Sequence, residues 1–376
     1  MSDPEVIIVG SGPAGCSTAL HLVAQSPALR DRILFLESKQ HPRRKLCGGG
    51  VTVFGLQHLR RLGLELGVPR VDVREAHFRM RGRVITVRGD PLLSVVERTN
   101  FDHWLVQVLR TRGVRVVEQS PVQRIVPSSC GVKVHTATHE FDAQAVVLAS
   151  GSRSLDFVEW EGRRLGAGPR WVARALEVFA TDPLAARGGQ PASVEFDFSP
   201  LARGRYGYRW KFPMPGERGA TANYGVFDSR RYAQRRAPDL NPELSTLVQA
   251  SGAKNLEAIQ GYPIRLYSPL VRLSAPRMLL VGDAAGADPF FGEGIGVSLA
   301  YGRLAARELD HAWGLQDFGF SGFAGRVRGS DLGDYLEVRW ASARFVYGLS
   351  RLPGFTHLAW AVALLIARGY HPRRAG

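Results

Sequence analysis

The sequence is poor in cysteine and has no long apolar run. Its three cysteines, Cys16, Cys47 and Cys130, lie far apart in 376 residues, which is too few and too scattered for a disulfide framework or a zinc site. The longest apolar run, residues 358–367, is half of the ~20 residues needed to cross a bilayer. The chain enters an apolar strand pattern without a signal peptide. We therefore expect a cytoplasmic protein without a bound metal.

Acidic residues are also scarce relative to basic ones. The chain has 49 Lys and Arg against 34 Asp and Glu, which gives a net charge of +15. Such an excess favours an anionic substrate, nucleic acid or an anionic membrane surface as partner, although solvated basic faces account for it equally well. No nucleic-acid-binding motif is present, so we expect no nucleic acid partner.

A glycine turn lies directly behind the first apolar run. Residues 6–9 predict a buried parallel strand, and GSGPAG at 10–15 predicts a turn and a helix start. In this GxGxxG pattern Gly10 makes the turn, Gly12 lets the backbone approach a pyrophosphate, and Gly15 lets the helix lie close to the strand. A second apolar strand ends at Glu37, 22 residues after Gly15, where an acid meets the ribose of a dinucleotide. The pattern indicates a dinucleotide-binding fold for either NAD or FAD.

A basic segment leads into three glycines at residues 42–50, with the sequence PRRKLCGGG. Consecutive glycines are costly to order, and they are useful where backbone must pass close to a flat ligand. A flexible surface loop is the alternative. We expect a ligand contact at this loop.

The rest of the chain alternates between helical and β patterns. Helices are predicted at 53–62, from an N-cap within 99–102 to about residue 112, and for about four turns after residue 296. Short runs at 114–117, 122–126 and 132–135 are predicted to form one antiparallel insertion. Further strands are predicted at 76–87 (a pair), 145–149, 172–179, 193–198, 206–212, 220–226 and 278–281.

This pattern predicts an α/β protein with two intertwined domains and C-terminal helices. The dinucleotide-binding domain is expected to comprise residues 1–75, 95–165 and 276–310. Residues 76–94 and 166–275 are expected to form an inserted, mostly antiparallel substrate domain that roofs the cofactor. Residues 311–376 are expected to be helical, and their apolar run at 358–367 is assigned either to core packing or to peripheral membrane contact.

Several separated motifs together resemble one protein family. GSGPAG with Glu37, ASGSRS at 149–154, and GDAAG at 282–286 with PFFGEGIG at 289–296 resemble the FAD-dependent oxidoreductases of the para-hydroxybenzoate hydroxylase superfamily. Within it, CGGG at 47–50, YRWKFP at 208–213, and Arg98 followed by FD at 101–102 resemble the geranylgeranyl reductases. Ser150 stands where many relatives have Asp in a motif linked to nicotinamide contacts, and the external reductant stays open between NADPH and a ferredoxin-type donor.

The resemblance implies FAD as the cofactor and a Rossmann-like FAD-binding domain. Asp283 would bind the ribityl chain, the helix from Gly294 would point its positive end at the isoalloxazine, Arg98 would lie beneath the ring, and Arg44 or Lys45 would neutralise the pyrophosphate. The predicted cofactor-binding residues are Gly10, Gly12, Pro13, Ala14, Gly15, Glu37, Ser38, Arg44, Lys45, Cys47, Gly48, Gly49, Gly50, Arg98, Gly151, Gly282, Asp283, Gly294 and Ile295.

The catalytic prediction names Cys47, Tyr206, Tyr208 and Trp210. The Cys47 thiol would position a substrate alkene or relay a proton, with a packing role as the alternative, and the aromatic side chains would line an apolar tunnel or simply pack. The resemblance implies a reductase that saturates carbon–carbon double bonds of a polyprenyl chain on a lipid, a diphosphate or a ring precursor. The alternatives are a flavin-dependent monooxygenase or halogenase, because YRWKFP also resembles the WxWxIP stretch of the halogenases, and a non-redox flavoprotein similar to lycopene cyclases.

Overall fold

The computed structural model of this chain describes residues 4–152, 158, 165–166, 172–183, 191–216, 221–229, 239–350, 352 and 354–355. The apolar run at 358–367 and the last two residues of the ASGSRS motif lie outside these ranges. Within the described ranges, no helix combines the length and apolarity that a bilayer crossing requires.

Strands and helices follow one another along the chain as the α/β class predicts. The strands are β1 (Val6–Val9), β2 (Ile33–Leu36), β3 (Gly50–Thr52), β4 (Arg70–Met80), β5 (Arg83–Val96), β6 (Arg115–Val117), β7 (Val122–Pro127), β8 (Val132–Thr136), β9 (Glu140–Ala143), β10 (Ala145–Leu148), β11 (Val172–Thr181), β12 (Ser193–Asp197), β13 (Gly207–Met214), β14 (Thr221–Asp228), β15 (Gln260–Arg265), β16 (Ser274–Ala275) and β17 (Met278–Leu280). The helices are α1 (Pro13–Gln25), α2 (Val53–Arg60), α3 (Arg98–Thr111), α4 (Asn241–Ala250), α5 (Ile295–Leu315), α6 (Phe323–Arg328) and α7 (Asp331–Leu349).

Among the described residues, a six-stranded sheet carries the N-terminal motif. Its strand order is β16-β17-β10-β1-β2-β6, and every pair is parallel except β16 with β17. All residues of β1, β2 and β10 are buried, because helices or loops cover both faces of a parallel sheet, and this explains their uninterrupted apolar sequences. The register places the ends of β1 and β10 side by side, with Val9 opposite Leu148.

A second sheet of eight strands within the described residues has the order β15-β11-β14-β13-β12-β4-β5-β3. Its neighbours are antiparallel except for β12 and β4, which are parallel. Strands β7, β8 and β9 form a separate antiparallel sheet. The inserted, mostly antiparallel sheet predicted from the sequence is thus confirmed, whereas the division of the chain into domains stays a prediction.

Three details differ from the sequence-based prediction. Strand β6 joins the parallel sheet beside β2 and not the antiparallel insertion, because α3 returns the chain to the sheet edge as a crossover. Helix α3 begins at Arg98, with Glu97 at the N-cap and no side-chain cap, since Asp102 bonds to Arg98 within the first turn. Helix α5 has 21 residues, longer than four turns, because its apolar face stays buried as far as Ala312.

Candidate active site

The GxGxxG turn leaves an open helix N-terminus at the carboxyl end of β1. Gly10 has a φ of +100°, and a Cβ there would lie 2.5 Å from the Ala149 carbonyl oxygen, while a Cβ at Gly15 would lie 2.2 Å from the Gly10 carbonyl oxygen. At Gly12 the nearest atom to a Cβ is a guanidinium nitrogen of Arg43, at 3.7 Å. No side chain caps α1. Gly10 and Gly15 are therefore required by packing, and Gly12 borders space in which an anion can meet the helix N-terminus.

Glu37 lies at the end of β2 next to this turn. Its buried carboxylate accepts hydrogen bonds from the Ser11 amide (3.0 Å), the Ser11 hydroxyl (2.8 Å) and the Lys39 amide (2.9 Å). The neighbouring Ser38 hydroxyl donates at 3.2 Å. Burial raises the pKa of Glu37, but Arg43 and the hydrogen bonds outweigh it, so the pKa lies below its usual value. Glu37 is thus an ionised acceptor at the predicted ribose position.

Arg43 is a candidate site residue that the sequence analysis did not name. Its guanidinium lies over Gly12 and contacts both Glu37 (3.5 Å) and Asp102 (3.2 Å). Of the two predicted pyrophosphate partners, Arg44 pairs with Glu257 at 2.9 Å, and Lys45 lies over the Tyr262 ring at 3.5 Å; their role at the pyrophosphate stays a prediction. Three consecutive basic residues carry no signal for which one turns inward, so only the fold separates them.

Lys45 also borders Gly151, which follows β10. Gly151 has a φ of +74°, and its Cβ position lies 3.8 Å from the Lys45 amino group. Ser152, next in the chain, donates to Asp283 at 3.3 Å. The central motif of the sequence is therefore in contact with residues from both the basic loop and the C-terminal motif.

The C-terminal glycine motif meets the N-terminal one across α1 and α5. Gly282 has a φ of +63°, and a Cβ there would lie 2.7 Å from Ala14 Cβ, next to Pro13 at the start of α1. A Cβ at Gly294 would lie 3.0 Å from the Asp283 carboxylate, and α5 begins at Ile295 without a side-chain cap. Two uncapped helix N-termini and the half-buried Asp283 thus lie at one edge of the parallel sheet, although about 270 residues separate the motifs.

Residues 47–50, which we call the Cys47 loop, lead into β3 and lie against the eight-stranded sheet. Gly49 has a φ of +77°, and a Cβ there would lie 2.0 Å from the Val96 carbonyl oxygen. Gly48 and Gly50 lie against the Phe212 ring, with Cβ positions 3.1 and 3.3 Å from it. The half-buried Cys47 accepts a hydrogen bond from the Gly49 amide at its sulfur (3.4 Å). These approaches leave no room for larger residues.

Arg98, the first residue of α3, contacts the Cys47 loop. Its guanidinium donates to Asp102 at 2.8 and 3.0 Å and also interacts with the Cys47 side chain. Burial lowers the pKa of Arg98, but Asp102 and Cys47 raise it above its usual value. Arg98 therefore stays charged under the loop.

The predicted aromatic residues lie on one face of the eight-stranded sheet. Tyr208 donates its hydroxyl to the Phe291 carbonyl, and burial raises the pKa of Tyr208, so it stays neutral. Trp210 donates from Nε1 to the Asn223 side chain at 2.6 Å, and Tyr206 is buried. These three pack in one apolar cluster with Phe78, Phe196, Phe198, Phe212, Phe227, Phe290 and Phe291. The catalytic assignment of these residues stays a prediction.

Glu293, just before α5, is a further residue that sequence reasoning missed. Its carboxylate accepts from Thr52 at 2.7 Å and from the Tyr335 hydroxyl at 2.5 Å. Burial raises its pKa despite these hydrogen bonds. Glu293 joins β3, which continues the Cys47 loop, to the C-terminal helix α7.

Glu177 on β11 is a third residue that the sequence analysis did not name. It is 5% exposed and accepts the Cys47 backbone N–H at 3.2 Å. Burial raises the pKa of Glu177 to about 7, although the neighbouring Asn223 amide, the Cys47 N–H and the charges of Arg44 and Arg98 favour the carboxylate. A glutamate within a β pattern gave no sequence signal, since its proximity to Cys47 arises from tertiary packing.

Proteins named as reductases are similar to this chain over most of its length. No protein-family model matches it. The chain is 27% identical over 339 residues to the menaquinone reductase of Mycolicibacterium smegmatis, which covers 84% of this chain and 78% of the relative. It is 23% identical over 321 residues to digeranylgeranylglycerophospholipid reductase 1 of Methanothermobacter thermautotrophicus, covering 82% of this chain and 77% of that protein.

Solved structures share the fold. A geranylgeranyl bacteriochlorophyll reductase-like protein of Thermoplasma acidophilum superposes with a TM-score of 0.78 at 21% identity, covering 96% of this chain and 90% of that one. A variant of the halogenase PltM in complex with FAD superposes with a TM-score of 0.68 at 16% identity, covering 93% and 76%. The fold and the resemblance predicted from the sequence are confirmed.

Proposed function

We propose that this FAD-dependent oxidoreductase saturates carbon–carbon double bonds of a polyprenyl chain of the geranylgeranyl type. The observation that carries the proposal is the Cys47 loop, in which Gly48 and Gly50 lie directly against the aromatic cluster of β13. The two motifs that resemble the geranylgeranyl reductases thus form one continuous surface. The substrates named for the two relatives, menaquinone and digeranylgeranylglycerophospholipid, both carry isoprenoid chains.

The residues at the sheet edge fit FAD. Gly12 leaves space for the pyrophosphate at the N-terminus of α1, with Arg43 as the cation beside it, and Glu37 supplies the acceptor for a ribose. Asp283 and the start of α5 would hold the ribityl chain and the ring. When bound, FAD supplies two-electron hydride chemistry.

The residues of the chain would shape the environment of the reacting alkene. The rings next to the Cys47 loop exclude water and give an isoprenoid chain an apolar contact surface. An isolated alkene is a poor hydride acceptor, so a proton must reach its second carbon from a fixed donor. We assign that task to Cys47; in support, its sulfur accepts the Gly49 amide and its side chain interacts with Arg98.

We also propose a peripheral contact with anionic membrane. Val338 and Phe345 on α7 are 65% and 56% exposed and lie two turns apart, on one side of the helix. The net charge of +15 complements an anionic surface. Sedimentation with vesicles containing anionic lipid tests this contact, and the double substitution Val338→Ser with Phe345→Ser should release the protein.

The reaction is tested by reducing the FAD-loaded protein without oxygen and analysing geranylgeranyl lipids by mass. We expect a gain of two hydrogens for each double bond reduced, with Cys130→Ser as active as the unsubstituted chain and Cys47→Ala strongly impaired. Unchanged lipids would contradict the proposal. If oxygen is consumed with another substrate, the monooxygenase or halogenase alternative holds, and isomerised product without added hydrogen would favour the non-redox alternative.

A further inference from the structure

Glu177 links the two motifs on which the proposed reaction depends. It accepts the Cys47 N–H at 3.2 Å, and the Asn223 amide lies beside the same carboxylate and interacts with it electrostatically. Asn223 in turn accepts from Trp210 Nε1 at 2.6 Å. The buried polar groups of Trp210, Asn223 and Glu177 therefore lie next to one another, and Glu177 connects them to the backbone of the Cys47 loop.

The packing around this chain requires the same geometry. Gly225 is opposite Glu177 in the β11–β14 register, and the Trp210 ring lies only 2.0 Å from the position of a Cβ at Gly225. On the other side, the Cβ position of Gly48 is 3.4 Å from Trp210 Nε1. The indole is held between two glycines, one beside Glu177 and the other in the Cys47 loop.

We propose that Glu177 is a positioning residue that ties the Cys47 loop to the sheet and makes the reactivity of the Cys47 thiol depend on its own charge state. The proposal rests on no assignment of substrate. The charged and titratable groups facing Glu177 are Arg44 and Cys47 from the loop segment and Arg98 from α3. The Asn223 amide and the Cys47 N–H also face Glu177, but neither group titrates.

The sign of the effect follows from the distance between the two groups. The Cys47 sulfur is three bonds from the nitrogen that bonds to Glu177, so it lies within about 8 Å of the carboxylate. A carboxylate at that distance disfavours a thiolate, and the thiolate is the species that alkylating reagents attack. With a pKa of about 7, Glu177 is mostly protonated at pH 5.5 and mostly ionised at pH 8.5, so its negative charge acts on the Cys47 side chain only at the higher pH.

The test measures alkylation of Cys47 by iodoacetamide in FAD-loaded protein carrying Cys130→Ser, with the modified residue located by mass spectrometry. Cys16 is fully buried, so it does not compete. Glu177→Gln keeps an acceptor for the Cys47 N–H but removes the charge. We expect it to react about fivefold faster than the parent at pH 8.5 and at the same rate at pH 5.5. Glu177→Ala also loses the acceptor and should react faster at both pH values.

The control Glu195→Gln removes a carboxylate of the same sheet that pairs with Arg79, and its pH–rate profile should match that of the parent. A rate ratio between Glu177→Gln and parent that stays constant from pH 5.5 to 8.5 would overturn the proposal. The parent profile alone provides a second measurement if a variant fails to fold: it should bend near pH 7, and a straight profile overturns the proposal. Because no lipid is present, failure here is distinct from failure of the proposed reaction.

Discussion

Arg98 and Asp102 are joined by two hydrogen bonds across one turn of α3, at 2.8 and 3.0 Å, and both side chains are buried. Asp102 also contacts Arg43 at 3.2 Å, while Arg98 reaches the Cys47 side chain. The first turn of α3 thus connects the cation over Gly12 with the Cys47 loop. The two parts of the candidate site share one ionic network.

Replacing Arg98 should destabilise the protein strongly, because it leaves Asp102 buried with Arg43 as its remaining partner. We expect Arg98→Ala to lower the free energy of unfolding by about 3–5 kcal/mol, measured by urea unfolding. Arg70→Ala is the control, since its pair with Asp72 is exposed, and it should cost less than about 1 kcal/mol. Similar losses for the two variants would contradict a buried network.

Two glycines of the same motif should separate folding from cofactor binding. A Cβ at Gly12 meets no atom nearer than 3.7 Å, so Gly12→Ala should leave apoprotein stability unchanged and weaken FAD binding about tenfold or more. A Cβ at Gly15 would overlap the Gly10 carbonyl at 2.2 Å, so Gly15→Ala should lower apoprotein stability by about 1–3 kcal/mol. Thermal unfolding measures the stability of each apoprotein, and fluorescence titration measures its affinity for FAD. If both variants lose stability and affinity to the same extent, the separate roles assigned to Gly12 and Gly15 are wrong.

Gly49 should be intolerant of substitution for a steric reason. Gly49→Ala places a Cβ 2.0 Å from the Val96 carbonyl oxygen, which shifts the Cys47 loop, and a displacement of about 1 Å can lower a rate about 100-fold. Gly63→Ala is the matched control, because Gly63 has a similar positive φ but a Cβ there would have no neighbouring atom within 4 Å. Its backbone strain costs about 1–2 kcal/mol of stability without loss of rate. The rate of lipid reduction in a single turnover is measured for both variants. If Gly49→Ala reduces lipid as fast as the unsubstituted protein, the Cys47 loop has no role in catalysis.

Acid should destabilise the fold through two buried histidines. Burial lowers the pKa of His21 and His58 to about 4, with nearby Arg303 and Arg61 adding to the effect. The unfolded chain binds these protons below about pH 6.5, whereas the folded chain does not, so stability is complete above pH 6.5 and falls as the pH approaches 4. We expect a loss of about 2–3 kcal/mol for each histidine over this range. Urea unfolding of His58→Gln should show a smaller loss between pH 7 and 4.5, and an unchanged pH dependence would refute the assignment.

The nucleotide-binding strands could be predicted because their signal is local. Strand β1, the glycine turn and α1 form one unbroken segment, and β2 and β10 are wholly apolar because they are buried on both faces. The assignment of β6 failed for the opposite reason. Three residues with a partly exposed pattern do not show which sheet edge they join, and the preceding helix decides it.

The site itself was only partly readable from the sequence. Glycines such as Gly12 and Gly49 could be predicted as candidates because the role expected of them depends on the backbone, and that role stays a prediction. Arg43 and Glu177 were missed because their roles depend on which side chains turn inward and on strands far apart in sequence. The motifs could be recognised from residue types alone. Which ionisable side chains lie next to them depends on tertiary contacts, which the sequence does not reveal.

The order of the parallel sheet also determines when the two glycine motifs can meet during synthesis. β1 lies beside β10, β10 lies beside β17, and the α1 N-terminus packs against Gly282. A nascent chain whose residues up to the start of α5 have not left the ribosome has the glycine turn but lacks Asp283 and the second helix end. The edge of the parallel sheet at which the two glycine motifs meet is therefore complete only in the last part of synthesis.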